Sequence, residues 1–227
     1  MKEDGTSKKK LAGIIVGCIV IVVVVVAYVH LSTICYLRPL AVDFADPNLE
    51  AAVREAIGKP EGLVYPSDLE DLTFLDAADG NIIDLTGLEW CLNLTELVLE
   101  ENEIGDITPL SDLTNLELLN LNGNQVDDIS ALSNLTNLSY LYLADNEISD
   151  ITSLSSLVKL GKHTFLSIPP SVCLDLSHNQ ISDIAPLVSN AGFGEGDEVD
   201  LQGNPLSAES VNTLIPQLEA RRVEVSW

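Results

Sequence analysis

Basic residues are scarce: 11 Lys and Arg stand against 35 Asp and Glu in 227 residues, a formal net charge of −24. None falls between Lys59 and Lys159. Phosphate binding needs clustered Lys and Arg to displace counterions, so this shortage excludes a nucleic-acid partner. Aromatics make up only 5% of a chain that is 46% hydrophobic, so the core must be aliphatic. A mean hydropathy of +0.24 is too apolar for a solvated, disordered chain. The cysteines, Cys18, Cys35, Cys91 and Cys173, lack the short regular spacing of a disulfide framework or a zinc site. His30, His163 and His178 share no neighbourhood with a nucleophile, so no triad can be drawn and no enzymatic activity is expected. The run Asp79-Gly80-Asn81-Ile82 imitates part of a calcium loop, but Leu75 and Ala77 occupy its first two ligand positions. No metal and no cofactor are expected.

Charge is also missing from Leu11 to Val29, where Val and Ile dominate. At ~1.5 Å per residue this run reaches roughly 28 Å, close to a hydrocarbon core of ~30 Å. Lys2, Lys8, Lys9 and Lys10 precede it, whereas only His30 and Arg38 follow before the acidic residues begin. The positive-inside bias then predicts a cytoplasmic basic tail (1–10), a transmembrane helix serving as signal anchor (11–29), a linker (30–42) and an extracytoplasmic remainder. A cleaved signal peptide is the rival; its apolar region is usually ~7–15 residues long and ends in a small-x-small site, and Ala27-Tyr28-Val29-His30 makes a poor one. The acidic remainder reads either as a solubilising surface or as an electronegative face for cations or a basic partner.

What the chain has in abundance is repetition. Asn102, Asn124 and Asn146 are spaced by 22 residues, and the apolar positions around them return in step. Leu116, Leu119, Leu121, Val126, Ile129, Leu132 and Leu135 recur as Leu138, Leu141, Leu143, Ile148, Ile151, Leu154 and Leu157. The ladder extends upstream through Leu75, Ala77, Ile82 and Leu85, with Gly80 in the Asn position. Downstream it continues around Asn179, after an insertion near 161–171, and around Asn204. Each L-x-L is a short strand whose alternate residues point inward, and no single unit buries its own apolar face, so units must stack. Each repeat Asn is a buried amide whose hydrogen bonds must go to turn backbone. Asp106, Asp128, Asp150 and Asp183 recur in step and suit caps of short helical turns on the convex side.

The pattern L-x-x-L-x-L-x-x-N-x-I-x-D-I resembles the leucine-rich repeat. Its Ile-x-Asp-Ile-x-Pro-Leu ending, as at Ile104 to Leu110, resembles the internalin-like subclass of 22-residue repeats, over roughly residues 43–227. The fold expected is therefore α/β: a leucine-rich repeat solenoid with a curved parallel sheet, a convex side of short 3-10 or irregular turns, and helical caps at both ends. A helical N-terminal cap is expected over 43–71. Within it Asp46-Pro47 starts one helix, ended by Gly58, and Ser67-Asp68-Leu69-Glu70 reads as the capping box of a second. Six repeat strands are expected over 72–206. A C-terminal cap follows over 207–227, with a helix from Ser207 and an edge strand through Val223, Val225 and Trp227. The sequence given ends at Trp227 with no wall-sorting signal, so the N-terminal span is the expected anchor.

Resemblance to this family implies a protein or other macromolecular ligand on the concave face. Two outward rows are expected there: Phe74, Glu96, Leu118, Tyr140, Cys173 and Glu198, then Asp76, Val98, Asn120, Tyr142, Asp175 and Asp200. Val98, Leu118, Tyr140 and Tyr142 form an apolar-aromatic patch beside Asn120, rimmed by Glu96, Glu100, Asp145 and Asp175. That is the composition of a protein-binding hot spot. The same residues would also serve as cross-strand packing. Cys91 is expected in the core, and Cys173 as a lone thiol projecting from the concave sheet. The sequons at Asn93, Asn134 and Asn137 fall on the repeat's own consensus. The expected protein is a membrane-anchored binder. The alternatives are a structural spacer of the cell envelope without a specific ligand, and an acidic regulator of a basic partner. The sequence leaves the oligomeric state open.

Overall fold

Strands three residues long dominate the sheet, those of the regular repeats each centred on the first leucine of an L-x-L triplet, as Glu96–Val98 is on Leu97. The computed structural model describes residues 40–161 and 172–227. The expected basic tail, membrane span and most of the linker, with the insertion from 162 onward, lie outside the described residues. No helix among the described residues is long and apolar enough to cross a membrane. Ala41 to Trp227 forms one compact unit.

Seven strands form one open parallel sheet in chain order: β1 (Phe74–Asp76), β2 (Glu96–Val98), β3 (Leu118–Asn120), β4 (Tyr140–Tyr142), β5 (Leu174–Asp175), β6 (Glu198–Asp200) and β7 (Glu224–Ser226). The sequence period becomes sheet register. Leu75 pairs with Leu97, Leu97 with Leu119, Leu119 with Leu141, Leu141 with Leu174, Leu174 with Val199, and Val199 with Val225. The cap strand β7 thus continues the ladder of the six repeat strands. Parallel neighbours need a long return path. Each coil supplies one through a helical turn on the opposite side, such as Thr108–Leu110, Ser130–Asn134 and Thr152–Ser156. Between sheet and turns, Leu97, Leu99, Ile104, Ile107, Leu110 and their counterparts 22 and 44 residues on are buried. Each contributes about 1.5–3 kcal/mol by leaving water.

The repeat asparagines stitch one coil to the next. Asn124 Oδ1 accepts from the Ile104 N–H (3.0 Å), and its Nδ2 donates to the carbonyls of Leu99 and Leu121 (2.9 and 3.0 Å). Asn146 does the same for Val126, Leu121 and Leu143, and Asn179 for Ile148, Leu143 and Leu176. Asn204 closes the series on Ile181, Leu176 and Leu201. Asn102 makes the same bond with the Ile82 N–H (2.9 Å) and also accepts from the N–H of Gly80 (3.0 Å), which stands in the Asn position of the first coil. A second amide series runs along one flank, where Asn93, Asn115 and Asn137 donate to the carbonyls of Glu70, Leu92 and Thr114. Two of the sequon asparagines, Asn93 and Asn137, are therefore engaged with the preceding coil.

The recurring aspartates sit one residue earlier than a cap. Asp106, Asp128, Asp150 and Asp183 accept from the N–H two residues on, at 2.8 Å each, while the cap positions are Ile107, Ile129, Ile151 and Ile184. They bond the first N–H of each turn, two residues on, as an Asx turn does. The Thr108 hydroxyl and N–H hold the Asp106 carboxyl below the usual range, and Thr152 does so for Asp150.

At the N-terminal end, α1 (Pro47–Ala56) closes over the first coil, burying Leu49 and Val53. Its cap residue Asp46 is bifunctional. Oδ1 accepts from Asn48 and Leu49 in the helix, and Oδ2 from Ile83 and Asp84 in the first repeat. Phe44 seats against Gly87, where a Cβ would stand 2.4 Å from the ring and φ is +107°. The second short helix starts at Pro66, not Ser67. Asp68 accepts from the Tyr65 N–H (2.7 Å), so the cap pair is Tyr65 with Asp68 rather than Ser67 with Glu70. Pro66 explains the shift, since its fixed φ suits a first helical position. At the other end, α2 (Ala185–Ser189) forms the turn of the last full coil. A π-turn over Ser210–Leu214 leads into α3 (Ile215–Glu219), because Pro216 has no N–H with which to continue the α-helical pattern. Arg221 clamps this cap, donating to the carbonyls of Val188, Asn190 and Phe193.

Candidate binding face

Alternation along each strand sends the leucines inward and leaves two rows on the outer face of the sheet. Register pairing makes these rows continuous: Phe74, Glu96, Leu118 and Tyr140 in one, and Asp76, Val98, Asn120, Tyr142, Asp175 and Asp200 in the other. Val98, Leu118, Asn120 and Tyr142 are half-buried and lie side by side, with Glu96 exposed and Glu100 half-buried next to them. Leu118 and Tyr142 pack against the core from outside. Asp145 is exposed at the following turn, and Asp175 is half-buried on β5.

Tyr140 corrects the expectation that neither row shares the core. It is 4% exposed and belongs to the hydrophobic cluster, so it offers a ligand almost no surface. Cys173 is likewise 0% exposed rather than projecting; its Sγ donates to the Glu198 carbonyl at 3.1 Å. Both occur at the seam where the period breaks, and large side chains gather there. The Tyr142 hydroxyl donates to the Val172 carbonyl at 3.3 Å. Burial pushes the Cys173 thiol up to about 12, and burial with Tyr140, Cys173 and Asp175 nearby raises the Tyr142 phenol. Cys91 is buried as expected, its thiol pushed up to about 12 by burial and the Glu89 charge.

The polar members of the face are held by their own neighbourhood. Asn120 Nδ2 donates to Glu100 Oε2 (2.6 Å), and its Oδ1 accepts from the Asn122 N–H. Asp175 Oδ1 accepts from both the N–H and the hydroxyl of Ser177 (3.0 and 2.7 Å). Asp200 Oδ1 accepts from the Gln202 N–H (2.9 Å). These bonds aim the side chains without help from a ligand.

Sequence reasoning missed a cleft of about 510 Å³ where the outer face meets α1, lined by Ala51, Ala52, Ala56, Phe74 and Ile82 with Glu55 and Asp76. Phe74 is 51% exposed there. The signal was present in the alanines on the helix, small enough to leave Phe74 open. Among the described residues no group of three or more His, Cys, Asp or Glu side chains could hold a metal ion.

Comparisons with known proteins follow the same geometry. Family models described as leucine-rich repeats match residues 92–134, as two copies, and 172–184. An internalin, InlF, from Listeria monocytogenes is 28% identical, with a TM-score of 0.63 over 84% of this chain and 59% of its own. The chain therefore spans under two thirds of that protein's length. Internalin C2 from the same organism is also 28% identical, over 81% of this chain and 93% of its own, with a TM-score of 0.39. The functional domain of Listeria monocytogenes InlJ is 22% identical, with a TM-score of 0.52 over 75% of this chain and 40% of its own. No curated protein matches the sequence. Parallel register, the asparagine stitch and the leucine-rich repeat models together show a leucine-rich repeat solenoid, similar to the Listeria monocytogenes internalin InlF.

Proposed function

We propose that this is a membrane-anchored, extracytoplasmic binding protein that captures a protein, or another macromolecule, on the outer face of its sheet, with no catalytic role. One observation carries the binding reading. Val98, Leu118 and Tyr142 form a half-exposed apolar strip inside an acidic rim, on the face opposite the leucine core. Partly desolvated apolar and aromatic side chains ringed by polar ones have the anatomy of a hot spot. Anchoring rests on the uncharged run Leu11 to Val29 and the lysines before it.

The test compares affinity capture from cell-surface extracts by the purified full chain and by a Leu118→Asp, Tyr142→Ala variant of unchanged circular dichroism. Partners retained by the wild type and lost by the variant are expected. Identical capture by both would remove the face from the reading, and no specific capture would favour a spacer. For topology, protease added to intact cells should degrade the repeats; full protection would reverse the orientation.

A further inference from the structure

Resting on that reading of the outer face, we infer that its partner presents an extended segment with an apolar centre flanked on both sides by Lys or Arg, spaced about four to six residues apart. The face is apolar in the middle and acidic at both ends along the direction that crosses the strands. On β2 and its turn stand Glu96 and Glu100; on β3 and β4 come Leu118 and Tyr142; on β5 and β6 come Asp175 and Asp200. No Lys or Arg occupies the outward rows of any strand.

Two observations turn this charge pattern into a recognition surface. Glu100 is oriented by Asn120, and Asp175 and Asp200 by the backbone two residues on, so their carboxylates are held in place rather than swinging freely. The ion pairs among the described residues are Glu50 with Arg54, Asp68 with Lys59 and Glu195 with Arg222, and none of them reaches Glu96, Glu100, Asp175 or Asp200. The two acidic walls therefore complement positive charge supplied from outside. Parallel strands lie ~4.8 Å apart, so three steps from β2 to β5 make about 14 Å and four steps to β6 about 19 Å. An extended segment advances ~3.3 Å per residue, which sets the spacing of four to six. A segment lying across the strands would place its apolar residue on Leu118 and Tyr142 while its cations reach the two walls.

The experiment uses the purified full chain and fluorescent peptides of about nine extended residues with one apolar centre and flanks of Lys, Gln or Glu, read by anisotropy. The Lys-flanked peptide should bind about tenfold more tightly than its Gln twin, with the advantage shrinking as salt rises. Combining Glu100→Gln with Asp175→Asn should erase that advantage and leave the Gln peptide unchanged. Equal affinity of the Lys and Gln peptides, or an advantage that survives those two substitutions, overturns the inference. Leu118→Asp separates the two levels. If it abolishes binding of Lys and Gln peptides of equal affinity, the face binds but the charge inference falls. If neither peptide responds to it, both fall.

Discussion

The side chain of Asn124 donates to the carbonyl of Leu99, 2.9 Å away and 25 positions earlier in the chain. That bond, repeated at Asn146, Asn179 and Asn204, makes each coil's turn a shared structure. Asn124→Ala would leave the Ile104 N–H without its acceptor in a dry interior, while the carbonyls of Leu99 and Leu121 would keep Asn102 and Asn146 as donors. The expected cost is about 1–3 kcal/mol, read as a lower urea midpoint. Asn124→Asp should cost at least as much, because an ionised carboxylate accepts but cannot donate to Leu99 and Leu121.

Asp46 predicts an acid-sensitive N-terminal cap. Burial would raise its carboxyl, but the N–H groups of Ile83, Asn48, Leu49 and Asp84 outweigh that and hold it below the ordinary value. A lowered folded value means the unfolded chain binds the proton more readily. The contribution is thus complete above the unfolded carboxylate range and is lost as pH falls through the lower folded one. Below about pH 4 the melting temperature of the wild type should drop more steeply than that of Asp46→Asn. At neutral pH the variant should be less stable by about 1–3 kcal/mol, because the Asn oxygen can still cap the helix but its NH2 cannot accept from Ile83 and Asp84.

Gly123 should resist substitution through its backbone. The residue before each repeat Asn is left-handed, with φ of 55° at Glu101, 66° at Gly123, 53° at Asp145, 54° at His178 and 75° at Gly203. A Cβ at Gly123 would stand 2.8 Å from a Glu101 carboxylate oxygen, but that oxygen ends a flexible, exposed side chain that can swing away. Gly123→Ala should cost about 1–2 kcal/mol from the backbone. Adding Glu101→Gly should leave the Gly123→Ala penalty nearly unchanged in a double-mutant cycle by urea unfolding.

Cys91 and Cys173 should be silent to thiol reagents in the native state. Both are buried, and both thiols are pushed up to about 12. In a Cys18→Ser, Cys35→Ser background, Ellman's reagent should label neither cysteine until denaturant is added. Fast native labelling would mean that the sheet face over Cys173 opens readily.

Tyr140→Ala should behave as a core truncation, lowering stability by about 3–5 kcal/mol in thermal or urea melts. It therefore cannot serve as a probe of binding, whereas Tyr142 and Leu118, which sit on the core from outside, can.

Legibility in the sequence followed physical redundancy. The leucines, the repeat asparagines and the strand register were plain because eight positions recur together at 22 residues and each recurrence constrains the rest. Tyr140 and Cys173 were misjudged because strand alternation states which face a side chain leaves by, not what stands beside it. Cys173 lies in the unit where Asn146 to Asn179 spans 33 residues instead of 22, and Tyr140 faces that unit from β4, so the regular coils offer no template for their surroundings. The Tyr65–Asp68 pair is hidden in the sequence because Ser67-x-x-Glu70 matches the capping-box pattern, while Pro66 sets the helix start one residue earlier.

The asparagine bonds all point the same way, and this gives the stack a direction of wear. Peeling a coil from the N-terminal end takes a carbonyl from Asn102, whose amide still holds Leu99 and Glu100. Peeling one from the C-terminal end removes the acceptor from the coil left behind, baring the N–H of Ile181, then of Ile148, then of Val126. The molecule thus frays like a knitted edge that runs from one side only, and Arg221, gripping three carbonyls near that margin, stands where the last row is cast off.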